Sequence, residues 1–455
     1  MATDRERDRG TAQAWEAIGG APELVERVRY EGTGDLGEGP LPVAELARAT
    51  VGVCGLAAGE LAAVRAGCTA EDVSPLVVHE GAVATAFVSE RHLRVSGRTP
   101  VTFAPLSGFW PTADGWVRTH ANYPHHEAAL VRALRLPAAT PEAVRAAVAG
   151  RTAEEVQELV YARGGLAVAV ARDHGLPQPL TEPVRVSGAR GRELGRARAG
   201  LPATGVRVLD LTRVIAGPVA TRTLGVLGAD VLRIDPPGLP EADDAYADTG
   251  FGKRSALLDA GRSEDRAVLE GLLGGADVVV TGYRPGALER YGLGADRLLE
   301  RWPGLVVAEL CAWGWRPWGP WEGRRGFDSL VQAGYGIAAR CADGAGVPGV
   351  LPAQALDHGT GYLLAAGVLR ALAEGGGRGL RFSLAGTASW LLRDLGAAGA
   401  GAASGGRAAE YSAEPWLRET PSGYGVLRHA AGPFGEWPSG PTRWGTSHPS
   451  WLPRD

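Results

Sequence analysis

The chain has 455 residues, 45% of them apolar, which suits a folded protein of two or three domains and argues against disorder. A formal net charge of -4 supplies no overall basic field for a nucleic-acid partner, so any anion site has to be local. Cys54, Cys68, Cys311 and Cys341 stand apart, with no C-x-x-C pair and no neighbouring histidine cluster; they read as buried thiols, and neither a disulfide framework nor a metal site is expected.

Residues 1–9 are charged and lack an apolar core, and no run of about 18 apolar residues is evident, so neither a signal peptide nor a membrane partner is expected and the location reads as cytoplasmic. Residues 1–190 form an α+β region. Its helices are expected at 43–66, 141–149 and 152–174, and a strand-turn-strand at 110–120 turns on Ala113-Asp114-Gly115. The Arg-, Gly- and Pro-rich stretch 184–204 lacks apolar periodicity and reads as a linker, with the domain boundary at 191–204.

Beyond it, short apolar runs at 206–210, 231–234, 278–281 and 305–310 alternate with helical periods at 219–227 and 264–273. Such alternation predicts an α/β fold with a doubly wound parallel sheet over 205–395, ligands binding at the carboxyl ends of its strands. A Gly/Ala/Ser run at 396–406 reads as a flexible loop opening a Gly- and Pro-rich C-terminal extension, 396–455, which is expected to wrap over other elements.

Gly205-Val-Arg-Val-Leu-Asp-Leu-Thr-Arg-Val-Ile-Ala-Gly-Pro218 runs a strand into a Gly-Pro turn and a helix, which lets backbone N–H groups face an anion. Three further motifs follow: Leu227-Gly-Ala-Asp-Val-Leu-Arg-Ile-Asp-Pro-Pro-Gly238, Gly252-Lys-Arg-Ser-Ala-Leu-Leu-Asp259, and 276–293 with Gly282-Tyr-Arg-Pro-Gly286. Arg233, Lys253, Arg254, Arg284 and Arg290 fall at or near predicted strand ends or loops, where they could meet phosphates, although each alone could be a solvated surface charge. In order and spacing these motifs resemble the class III CoA-transferases, the family of formyl-CoA and carnitine CoA-transferases and α-methylacyl-CoA racemases, over 205–392. The resemblance implies a Rossmann-like CoA-binding domain, coenzyme A held around Arg233, Lys253, Arg254, Arg284, Arg290, Ile215 and Ala216, no metal, and a homodimer.

In 351–372, Asp357 stands in a cap-like position before a strongly apolar helix, whose N–H groups and dipole should keep the carboxylate ionised. A plain capping role would account for it. The resemblance instead implies a nucleophile that attacks an acyl-CoA thioester and passes through an aspartyl-CoA thioester before a carboxylic acid acceptor takes the CoA. Gln354 and the backbone of 358–361 are candidate donors to the oxyanions formed on the way.

Phe327 occupies the place of the histidine that family racemases carry beside the aspartate of Gly326-Phe-Asp328, so epimerisation would need His358 as a second base. A racemase or isomerase, or a CoA-thioester-binding protein without catalysis, are the alternatives. The small domain that the family carries later in the chain is found first here: 105–120 and Gly175-Leu-Pro177 resemble it. In the turn Asn122-Tyr-Pro-His-His126, Tyr123 and His126 are candidate substrate contacts, a surface loop being the other reading, and no third ligand accompanies the histidine pair for a metal.

Overall fold

A computed structural model describes residues 9–182, 186–316, 318–395 and 411–454; the glycine run at 396–406 lies outside the described residues. Its centre is a seven-stranded sheet made of β1 (Thr181–Glu182), β2 (Arg207–Leu211), β3 (Asp230–Asp235), β4 (Lys253–Leu257), β5 (Val278–Thr281), β6 (Val306–Cys311) and β7 (Arg378–Ser383). The order across the sheet is β4-β3-β2-β5-β6-β7-β1, parallel except for β1, which pairs antiparallel with β7. β5 and β6 are buried along their whole length because helices cover both faces, as their unbroken apolar runs require. Three strands of this sheet escaped the sequence reading, the two-residue β1 and the longer β4 and β7. Lys253-Arg-Ser and Arg378-Gly-Leu-Arg are too polar to signal a buried strand, and it is pairing, not patterning, that recruits them.

The order of strands reverses between β2 and β5, which opens a crevice at their carboxyl ends. α2 (Ala216–Val226) follows β2 and packs against α4 (Ala355–Ala373), the long helix that precedes β7. Three glycines set this packing. A Cβ on Gly359 would lie 2.7 Å from Leu46, one on Gly361 would lie 2.6 Å from the Ala216 carbonyl oxygen, and one on Gly367 would lie 2.9 Å from Phe382. The neighbour through Leu46 is α1 (Val43–Arg65), so the N-terminal residues and the parallel sheet share one core.

By length and apolar content α1 could cross a membrane, contrary to the expectation that no such stretch exists; 72% of its apolar window is buried inside this fold. Cys68 likewise departs from expectation, being exposed, whereas Cys54 and Cys311 are buried.

Residues 104–169 carry a separate core of Leu106, Trp110, Val117, Leu130, Val144, Val156 and Val160. It lies under three antiparallel strands, Phe109–Pro111, Trp116–Thr119 and Ala167–Ala169. The helix expected over 152–174 is shorter, Ala153–Tyr161: Gly164 adopts φ +78°, the left-handed conformation that stops a helix, and Ala167 starts a strand.

Candidate functional site

A cavity of about 620 Å³ occupies the crevice, lined by strand-end residues Leu211, Asp235, Gly282 and Cys311 and by Asp357. The turn from β2 into α2 forms part of its wall through Val214, Ala216 and Gly217. Val214 holds φ +71°, strained for a β-branched side chain, and its N–H donates to Glu241 Oε2 at 3.3 Å. Ala216 lines the cavity as expected; Ile215, the residue before the helix, is absent from the lining.

Asp357 lies inside the first turn of α4, with Gln354 at the cap, and it is 6% exposed. Its N–H donates to Asp328 Oδ2 at 3.0 Å, and Asp328 opens α3 (Asp328–Gly334). Burial, then the neighbouring carboxylates Asp328 and Glu90, push the Asp357 carboxyl well above its ordinary range. The expectation that the helix terminus keeps it freely ionised therefore fails: lost water and two like charges outweigh the dipole. Burial also pushes Asp328 up, to about 6.

Of the five cations expected around a nucleotide, the structure brings two to the cavity. Arg284 and Arg290 line it, both are exposed, and neither makes an ion pair among the described residues. Arg233 is fully buried instead, its guanidinium held by Asp235 at 2.7 Å and Glu241 at 2.9 Å. Lys253 is buried against Asp210 at 3.1 Å and the Pro218 carbonyl at 3.0 Å, and burial brings its ammonium down to about 8. Arg254 pairs with Asp230 at 2.7 Å and donates to the Ser450 carbonyl at 2.6 Å, away from the cavity. Arg233 and Lys253, buried and already neutralised by carboxylates, have no charge left to offer a phosphate, and Arg254, half-buried and paired, is absent from the cavity lining, so none of the three stands where it was expected.

Three cations outside that set do line the cavity: Arg213, Arg324 and Arg325. Arg213 pairs with Asp235 and Glu241, and Arg324 with Glu158, leaving Arg325 beside Arg284 with its own affinity for a proton lowered by burial and then by that neighbour.

The small α+β region contributes Tyr123, His125 and His126 to one wall, next to Phe327. Tyr123 donates to Glu241 Oε1 at 2.7 Å. His126 is 3% exposed and neither ring nitrogen has a partner among the described residues; burial, then His125 and Arg325, brings it down to about 3. His120 stacks on Phe327 at 4.0 Å between centroids.

His358 and Gln354 do not line the cavity. His358 is fully buried, its Nε2 3.2 Å from Glu90 Oε2, so it cannot reach a substrate there. Its backbone N–H bonds the Gln354 carbonyl at 3.0 Å, and 359–361 are within the helix, so the oxyanion donors expected at 358–361 are already engaged. Asp328 and Glu90 are the residues that sequence reading passed over. Asp328 stands in the Gly326-Phe-Asp328 motif, one residue after Phe327; Glu90 carries no local signal because its partner is 268 residues away.

Residues 204–415 match CoA-transferase family III. The curated acetyl-coenzyme A transferase nodX of Hypoxylon pulicicidum is 34% identical over 205 residues, 43% of this chain and 34% of that protein. A formyl-CoA:oxalate CoA-transferase of Afipia carboxidovorans is 36% identical over 180 residues, 37% of this chain and 42% of that protein. A solved structure, Rv3272 from Mycobacterium tuberculosis, aligns at 34% identity and a TM-score of 0.39, covering 42% of this chain and 55% of that one. The chain thus spans less than half the length of the two curated relatives.

Proposed function

We propose that this chain, whose residues 204–415 are a CoA-transferase family III segment, moves CoA between an acyl-CoA and a carboxylic acid through Asp357. The observation that carries this reading is that Asp357 lines the same crevice as Arg284 and Arg290, which make no ion pair among the described residues, at the carboxyl ends of parallel strands. The arginines offer bidentate contacts to the phosphates of CoA.

The Asp357 carboxylate attacks the thioester carbonyl; the C–S bond breaks, CoA leaves as thiolate and a mixed anhydride remains. The thiolate attacks the Asp357 carbonyl, forming the aspartyl-CoA thioester and releasing the donor acid. The acceptor carboxylate attacks that thioester and expels the thiolate, which then attacks the acceptor's carbonyl, giving the new acyl-CoA and restoring the carboxylate. Neither Phe327 in the wall nor His358, which is absent from the cavity lining, supplies the second base that epimerisation would take from those two positions.

The strand order β4-β3-β2-β5-β6-β7 supports a Rossmann-like reading, and the separate core of 104–169 supports a small domain placed ahead of the CoA-binding one. The reading includes a cytoplasmic location, where four free thiols stay reduced, and a homodimer, which light scattering would test.

Incubation with an acyl-CoA followed by hydroxylamine should convert Asp357 to its hydroxamate, found by peptide mass spectrometry. Asp357→Asn should lower kcat on the order of 10⁴-fold or more while the Kd for CoA stays near wild type. Turnover retained in Asp357→Asn would exclude the covalent route.

A further inference from the structure

Three carboxyl groups from separate parts of the chain meet at the start of α4. Asp357 lies in its first turn, Asp328 accepts the Asp357 N–H at 3.0 Å, and Glu90 bonds His358, the next residue, at 3.2 Å. Glu90 comes from the helical turn Ser89–His92, outside the segment that matches the family. His358 is fully buried, and its ring meets that of Phe87 at a tilt, 5.4 Å between centroids. Its Nδ1 has none among the described residues, which makes the Glu90 contact the bond that fixes the ring.

We propose that Glu90 is a positioning residue that, through its bond to His358, fixes the first turn of α4 and sets a carboxylate near Asp357 that strengthens its attack on the thioester. This rests on the reading of Asp357 as nucleophile. Burial pushes the Glu90 carboxyl up, but the bond and attraction to His358, its own backbone N–H and Arg91 together hold it below its ordinary range, so Glu90 remains charged where Asp357 works. A carboxylate crowded by like charge is the stronger base, and nucleophilicity rises with basicity.

The charged and titratable groups around Asp357 are Asp328 from α3, Glu90 from 89–92 and His358 on its own helix; Arg118, from the strand Trp116–Thr119, acts on Asp328. Of these, Glu90 can lose its charge with the least rearrangement. In Glu90→Gln the side-chain oxygen still accepts from His358 while the negative charge is gone.

The test follows the Asp357 carboxyl by infrared difference spectroscopy against pH, with Asp357→Asn as reference, and in parallel the pH profile of kcat/KM. In wild type the ionised nucleophile accumulates as pH rises, so kcat/KM rises through the Asp357 pKa. Glu90→Gln should move both the carboxyl titration and the acid limb to lower pH by about half a unit to one unit, less than the 1–3 units of direct charge contacts. Glu90→Asp, which keeps the charge, should retain the wild-type limb, a rescue that damage to packing would not give. An unmoved or upward-shifted carboxyl titration in Glu90→Gln overturns the inference, as does a Glu90→Asp limb that moves with the Gln variant. The reading beneath it fails separately, by turnover in Asp357→Asn, whatever the infrared band does.

Discussion

Arg254 and Arg290 sit in motifs of equal weight in the sequence, yet their surroundings assign them opposite roles. Arg290 lines the cavity without an ion pair among the described residues, whereas Arg254 ties Asp230 to the Ser450 carbonyl. Arg290→Ala or Arg284→Ala should weaken CoA binding in calorimetry by about 1.5–3 kcal/mol each, the scale of a charge-assisted hydrogen bond, raising KM more than it lowers kcat. Arg254→Ala should leave that Kd in place and lower the melting temperature. His126 allows a second check. The unfolded chain protonates histidine near pH 6.5, but the folded site does so only at about 3, so the unfolded state binds more protons between those values. Stability should therefore fall as pH drops from about 6.5 towards 3, and His126→Phe should flatten that slope in urea titrations; an unchanged slope would mean that His126 reaches water in the folded protein. How legible these residues were depended on distance in the chain. Arg233 and Asp235 are two apart on a strand, on one face, so their pairing could have been read; the Lys253–Asp210 pair spans 43 residues and could not.

At the scale of elements, α4 was recognisable from its apolar run, and what the sequence concealed is how closely it is embraced. Gly359, Gly361 and Gly367 read as poor helix formers until α1, α2 and β7 are seen against them. Gly361 is the one that touches function, since its missing Cβ lets the Ala216 carbonyl approach, and Ala216 lines the cavity. Gly361→Ala places a methyl group 2.6 Å from backbone oxygen, which cannot rotate away. Overpacking of this kind costs about 1–3 kcal/mol, and α2 can relieve it only by moving the cavity wall. The variant should melt at lower temperature and bind CoA more weakly, whereas Gly271→Ala, on a helix with open space around that position, should do neither.

For the whole molecule, the parallel order followed from alternating runs, but what protects its outer strand did not. β4 is an edge, and exposed edges invite pairing with other chains. Here the C-terminal residues cover it: Ser447 N–H donates to the Ser255 carbonyl at 2.7 Å, Ser255 N–H to Ser447 Oγ at 3.2 Å, and Gly445 N–H to Ser255 Oγ at 3.0 Å. Trp444 donates to Asp235 at 2.9 Å, Leu452 N–H to Asp230 at 3.0 Å, and Arg454 bonds Asp277 at 3.2 Å, so one strap closes the edge and braces two carboxylates of β3 and the one just before β5. The tryptophans and prolines that gave no periodicity are the material of that strap, whose contacts are backbone and single side-chain bonds that leave no pattern in sequence. Removing 441–455 should uncover β4 and release Asp235, which both holds Arg233 and lines the cavity. The shortened chain should melt several degrees lower and associate with rising concentration, read by light scattering, and Trp444→Phe alone should weaken CoA binding without association. A shortened chain that stays monodisperse with an unchanged melting temperature would show that β4 needs no cover.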